Sequence, residues 1–191
     1  WNLSCLAQAL LPLADKEALK AALDSYTPTF DREYRALMRA KLGLIQEWGD
    51  DDELIRDFLG LLQGSHADFT IVFREMGTFS SQPGMKNEHL REHFLNRDRF
   101  DEWAVRYRDR LQSERSRDKE RQDAMNRANP KYVLRNYLAQ NAIESAQHKD
   151  FAEIDRLLRL LQHPYTEQPG MDAYAAPPPN WGKHLSVSCS S

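Results

Sequence analysis

Cysteine is nearly absent. Two thiols, Cys5 and Cys189, in 191 residues are too few for a disulfide framework, so the expected setting is a reducing cytoplasm. Neither sign of charge dominates. With 26 basic and 29 acidic side chains the formal net charge is −3, which argues against nucleic acid or an anionic membrane as the main partner. No apolar run approaches the ~18 residues of a membrane-crossing helix. The phosphate-cradling patterns GxGxxG and GxxxxGK[ST] are missing, as is the GxSxG of a nucleophile elbow. The chain opens on Trp1, and WNLSCLAQALLPL has neither a basic n-region nor a small-residue cleavage site. It is expected to be part of a longer polypeptide.

What is present is helical period. Leu3, Leu6, Ala7 and Leu10 share one face of a first helix that Pro12 closes. Leu19, Ala22, Leu23 and Tyr26 continue the pattern, and Pro28 is expected to interrupt it before Phe30, Tyr34, Leu37 and Met38. Asp50, Asp51 and Asp52 stand before Leu54, Ile55, Phe58, Leu59 and Leu62, where a helix dipole favours negative charge. No alternating oxygen-ligand loop with a central glycine follows, so the acidic run is not a calcium loop. Asp57-Phe58 and Asp68-Phe69 lack the following glycine of a DFG element and read as helix residues. Ser65 and Asp68 are candidate caps for a helix carrying Phe69, Val72, Phe73 and Met76, with Gly77 as its stop.

Residues 77–87 predict an exposed loop. A long helix then carries Phe100, Trp103, Ala104, Tyr107 and Leu111. The stretch ERSRDKERQD, 114–123, holds four basic and four acidic residues and reads as a solvated helix face. Asn129 and Pro130 predict an N-cap and first position for a helix whose rows are Leu134, Leu138 and Ala142, with Val133 and Tyr137 beside them. Asp150 and Glu153 start a last helix, with Phe151, Ile154, Leu157, Leu158 and Leu161 as its buried face and His163-Pro164 as its end.

From Tyr165 onward the period stops. Pro177-Pro178-Pro179 predicts stiff extended chain. A strap anchored by Tyr174 and Trp181 would deliver Cys189 to a defined place, whereas composition alone describes a disordered tail. The expected organisation is a helical domain over 1–164 and an extended tail over 165–191.

Chemistry-bearing residues are few. His89, Glu92 and His93 fit HxxEH, in which two imidazoles on one helix face bind zinc and the carboxylate polarises water. Such a site also needs a third protein ligand and a cleft, and the plain reading is a solvent-facing helix. His66, His148, His163 and His184 stand alone at expected helix ends. Cys5 adjoins the first apolar stripe and reads as a packed thiol. Cys189, three residues from the end, is the candidate redox residue. A Cys5–Cys189 disulfide is an alternative that requires alpha carbons within about 7 Å.

Three segments, WNLSCLAQALLPL, NPKYVLRNYLAQNAIESAQHKDFAEIDRLLRLLQHPYTEQPG and YAAPPPNWGKHLSVSCSS, resemble the C-terminal part of the selenoprotein O family, protein adenylyltransferases with a kinase-like fold. About the first 45 and the last 65 residues carry the resemblance. It implies AMP transfer from ATP to protein hydroxyl groups, with magnesium held by an Asn and an Asp of the kinase-like core. It also places those residues, the nucleotide-binding lysine and an activation-segment cysteine upstream of Trp1. In that family the third residue from the end is a cysteine in many bacterial members and a selenocysteine in eukaryotic ones. Cys189 occupies that position, and the resemblance implies that it can bond the activation-segment cysteine.

The expected fold is therefore all-α: about eight helices in an irregular bundle, a portion of a kinase-like C-lobe, with a Pro-rich C-terminal strap. The expected function is the structural and redox-regulatory portion of an adenylyltransferase, inactive alone, in the bacterial cytoplasm. ATP and magnesium belong to the intact parent. The implied partners are an upstream catalytic lobe and protein substrates, with self-association of the isolated chain through its uncovered apolar face. The alternatives are a free-standing helical interaction module and a zinc hydrolase using His89, Glu92 and His93.

Overall fold

The computed structural model describes residues 1–185 of the chain, and every regular element among them is helical. Ten α-helices follow one another: α1 Asn2–Leu10, α2 Lys16–Asp24, α3 Tyr26–Lys41, α4 Asp51–Ser65, α5 Phe69–Glu75, α6 Glu88–Arg91, α7 Arg97–Ser113, α8 Asp118–Ala128, α9 Asn136–Gln147 and α10 Ala152–Gln162. Short 3-10 turns lie at Met76–Thr78, Asp172–Tyr174 and Asn180–His184. The architecture is the expected all-α bundle, and none of the described helices is long and apolar enough to cross a membrane.

The main core lies between α3, α4, α5, α7 and α8. Phe58 and Trp103 stack at 4.5 Å, Trp103 and Tyr107 at 4.9 Å, and Phe58 meets Phe73 edge-on at 5.3 Å. All four rings are buried, each worth on the order of 2–3 kcal/mol in removed apolar surface. Their polar atoms are satisfied. Trp103 Nε1 donates to the Leu54 carbonyl at 2.9 Å, and the Tyr107 hydroxyl donates to the Leu42 carbonyl at 2.6 Å. A smaller cluster, Tyr137, Leu138, Ala142 and Leu157, joins α9 to α10, and Tyr174 packs against it.

Several local expectations are corrected by packing. Pro28 does not interrupt a helix. It occupies the third position of α3, whose first turn needs no donor there, and the break falls at Ser25. Asp51 is more than a dipole partner: it is buried and ion-paired to Arg110 at 2.7 Å. The loop 77–87 is not simply exposed. Phe79 and Asn87 are buried, Asn87 Oδ1 accepts from Ser80 N at 2.7 Å, and Asp118 accepts from Ser81 Oγ at 2.6 Å.

The charged stretch 114–123 is also not one solvated face. The chain reverses there through Arg115 at φ 56°, and the buried Arg121 donates to the Phe79 carbonyl and to Asp118. Asn129 does not begin α9. It closes α8, is buried, and exchanges hydrogen bonds with Lys41, giving Nδ2 to the Lys41 carbonyl at 2.8 Å and taking Nζ at 3.2 Å. The chain then runs extended to α9, whose first residue is Asn136. On α10, Leu157 and Leu160 are buried while Phe151, Ile154 and Leu158 remain exposed.

Candidate functional site

Among the described residues, the HxxEH side chains are not brought together, although His66 and His93 line one cleft. Cys189 lies outside the described residues. Cys5, expected to be packed, is an exposed free thiol on α1. The HxxEH segment does not form one helical face, because α6 is a single turn ending at Arg91. His89 Nε2 meets Thr78 Oγ1 at 2.7 Å, and His93 Nε2 meets Glu75 Oε2 at 2.6 Å. The two imidazoles thus serve different neighbours on the 76–78 turn and α5, and among the described residues no three His, Cys, Asp or Glu side chains are grouped to hold a metal ion. His66, His148 and His163 stand at the C-caps of α4, α9 and α10.

Two surfaces stand out instead. The first is the outer face of α1–α3. No residue of α1 or α2 is buried, and Met38 is the one buried residue of α3. Leu3, Leu6, Leu10, Leu19 and Leu23 line a groove of about 390 Å³ between α1 and α2. Beside it, Tyr26, Phe30 and Tyr34 stack along α3 with centroids 6.0 and 5.9 Å apart, each about half exposed. Aromatic rings at i, i+4 and i+8 make a stripe of the kind that packs against another surface.

The second is a cleft of about 780 Å³ between α5 and the segment 167–183. Ile71, Ala175, Ala176, Pro177 and Pro178 form apolar walls, with Arg74, Lys131, Glu167 and Asp172 at its edge. Lys131 pairs with Glu167 and, at 2.7 Å, with Asp172, while Arg74 reaches Glu167 at 2.9 Å. Lys131 and Arg74 hold the Glu167 carboxyl below the usual carboxylate range, because their hydrogen bonds favour its charged form. Beneath the cleft, Asp68 caps α5 by accepting from Ile71 N at 3.0 Å and pairs with Arg135 at 2.6 Å. Burial pushes the Asp68 carboxyl up, but these bonds outweigh it and hold the group below its ordinary value.

The expected anchors of the strap are both in place, with an addition. The Tyr174 hydroxyl donates to Glu153 at 2.9 Å, and Trp181 meets Tyr137 edge-on at 6.2 Å. Gly182 makes the close approach: a Cβ there would stand 2.8 Å from Tyr137 Cβ. Periodicity could not reveal this attachment, since its ion pairs join residues 36 to 93 positions apart.

Compared with known proteins, residues 1–162 match the family described as protein adenylyltransferase SelO. The chain belongs to the SelO family. Within it, the chain is 50% identical to the protein nucleotidyltransferase YdiU of Herminiimonas arsenicoxydans, 47% to that of Myxococcus xanthus and 49% to that of Thiobacillus denitrificans. Each similarity runs over 100% of this chain and 38%, 39% and 39% of the relative. The chain therefore spans about two fifths of the length of these SelO-family relatives. The exposed helices α1–α3 and the cleft lining up to His93 and Lys131 fall inside the family match, whereas Glu167, Asp172 and the rest of the strap follow it.

Proposed function

We propose that this SelO-family chain is the structural and regulatory portion of a protein adenylyltransferase, an enzyme that moves AMP from ATP to hydroxyl groups of other proteins. The observation that carries the reading is similarity over the whole chain to nucleotidyltransferases of which it spans about two fifths. In this reading the nucleotide and magnesium are held by residues of the longer polypeptide. The apolar face of α1–α3 packs against the kinase-like catalytic lobe, and the strap presents the Cys189 thiol to it. Three successive helices with so little buried surface support that assignment, since apolar area uncovered on this scale ordinarily meets a partner. The bacterial cytoplasm, where thiols stay reduced until signalled, is its proposed setting.

An AMP-incorporation assay with labelled ATP, run beside the intact mass of the endogenous protein, tests the reading. The expected result is a polypeptide a few times longer that labels proteins, and no labelling by the 191-residue chain. Labelling by the isolated chain, or an endogenous protein of this length, overturns it.

A further inference from the structure

The strap, like α1 and α2, has little buried surface, but its bonds to the body are in large part polar. Of residues 165–185 only Gly182 is buried, and none contributes to the main core. Tyr174 packs only against the small α9–α10 cluster. Toward its far end Trp181 meets Tyr137 edge-on and Gly182 packs against Tyr137, and polar bonds supply the remaining attachments. Lys131 reaches both Glu167 and Asp172, and Arg74 reaches Glu167. Gln168 Nε2 donates to the Leu160 and His163 carbonyls at 3.0 Å each, and Asn136 Nδ2 donates to the Leu185 carbonyl at 3.1 Å.

The ion pairs are one-sided in exposure. The Lys131 and Arg74 side chains are largely covered, at 18% and 12% exposed, whereas Glu167 and Asp172 are 67% and 79% exposed. Salt therefore has direct access to the strap's half of each pair. Between about 0.05 M and 1 M ionic strength the screening length contracts from roughly 14 Å to roughly 3 Å, so exposed attractions of this kind weaken while buried apolar packing does not. The strap's walls, Ala175 to Pro178, also close one side of the 780 Å³ cleft. Moving them opens it.

We propose that residues 167–185 are a latch: the segment leaves the body as a unit when its ion pairs to Lys131 and Arg74 are screened or neutralised, and its departure uncovers the α5 side of the cleft while the helical core stays folded. Regions with few buried apolar contacts and exposed polar attachments open below the global unfolding free energy. This property belongs to the described residues and stands whether or not the chain transfers AMP in its longer form.

The indole N–H signals of the ¹⁵N-labelled 191-residue chain report both events, because Trp181 sits on the strap and Trp103 in the core. Trp181→Phe assigns the strap signal. Raising NaCl from about 50 mM to 1 M should move the Trp181 signal toward the free-indole position and leave Trp103 in place. Lys131→Met should produce the same shift at low salt, and Lys131→Arg should not. Glu167→Gln, at an exposed position, should give a partial shift and serves if Lys131→Met perturbs Trp103. A Trp181 signal indifferent to salt and to these variants, or one that moves only together with Trp103, overturns the latch.

Discussion

Arg110 on α7 and Asp51 at the start of α4 form a buried ion pair, Nε to Oδ1 at 2.7 Å, between residues 59 positions apart. The pair is part of a closed arrangement. Glu114 accepts from the same guanidinium at 2.9 Å, the Gln46 carbonyl accepts at 2.7 Å, and the Trp48 ring lies 4.4 Å from its centre. Glu114 also receives Ile45 N and Gln46 N, so the α3–α4 connection is tied to the end of α7.

Arg110→Ala should destabilise the chain by about 3–5 kcal/mol, because it leaves two buried carboxylates without their cation. Asp51→Asn retains the hydrogen-bonding shape and keeps Glu114 as partner, so its cost should be smaller. Urea unfolding followed by circular dichroism measures both.

Gly43 turns the chain after α3 at φ 66°. A Cβ at this position would stand 2.4 Å from Arg121 Cγ and 2.9 Å from the Met125 side chain, both on buried residues of α8. Gly43→Ala should cost more than about 2 kcal/mol, combining left-handed backbone strain with displacement of Arg121 from the Phe79 carbonyl. Gly84, at φ 81° with open space around it, provides the comparison. Gly84→Ala should cost only the backbone term, and parallel thermal melts separate the two.

The Asp68 carboxyl, held below its unfolded value by Arg135 and the α5 amides, links stability to pH. A depressed folded-state pKa makes its contribution fully present above the unfolded carboxylate value near 4 and lost as pH falls through the lower folded value. Asp68→Asn should therefore lower stability at neutral pH and flatten the acid limb of the curve below about pH 4. Melts from pH 7 to pH 2 give the comparison with the unmodified chain.

Legibility in the sequence follows the kind of interaction. The buried rows of α4, α5 and α7 are readable because Leu54, Ile55, Phe58 and Leu62, and Phe100, Trp103, Tyr107 and Leu111, recur at the spacing of one helix face. The cap at Asp68 is readable from residue type. Long-range polar pairing is not. Arg121, Asp118 and Glu114 look like solvent charges until a fold turns them inward, and Asn129-Pro130 looks like a helix start until Lys41 claims Asn129. Amphipathicity also overstated burial. Phe151, Ile154 and Leu158 lie on an apolar stripe of α10, yet the described chain covers only the side bearing Leu157 and Leu160. The candidate cleft was the least legible part, because the ion pairs at its edge, Lys131 with Glu167 and Asp172 and Arg74 with Glu167, join charges distant in sequence.

The strap also has an unusual point of departure. The carbonyl of Pro164 accepts from both Lys131 N, at 2.8 Å, and Tyr132 N, at 3.1 Å. The chain thus leaves the body at 131, builds α9 and α10, and returns to the same spot. That makes the helical pair a side loop with a pinched neck, whose closure is local and whose length is decoupled from what lies before and after it. Residues added at the Lys149 turn, at its tip, would lengthen the loop without shifting the neck from which the strap sets out. The fold therefore separates two tasks along one chain: the Lys149 tip of the helical pair is free to lengthen, while the parts of α9 and α10 nearer the neck, with Tyr137 and Glu153, hold the strap that sets out from Pro164.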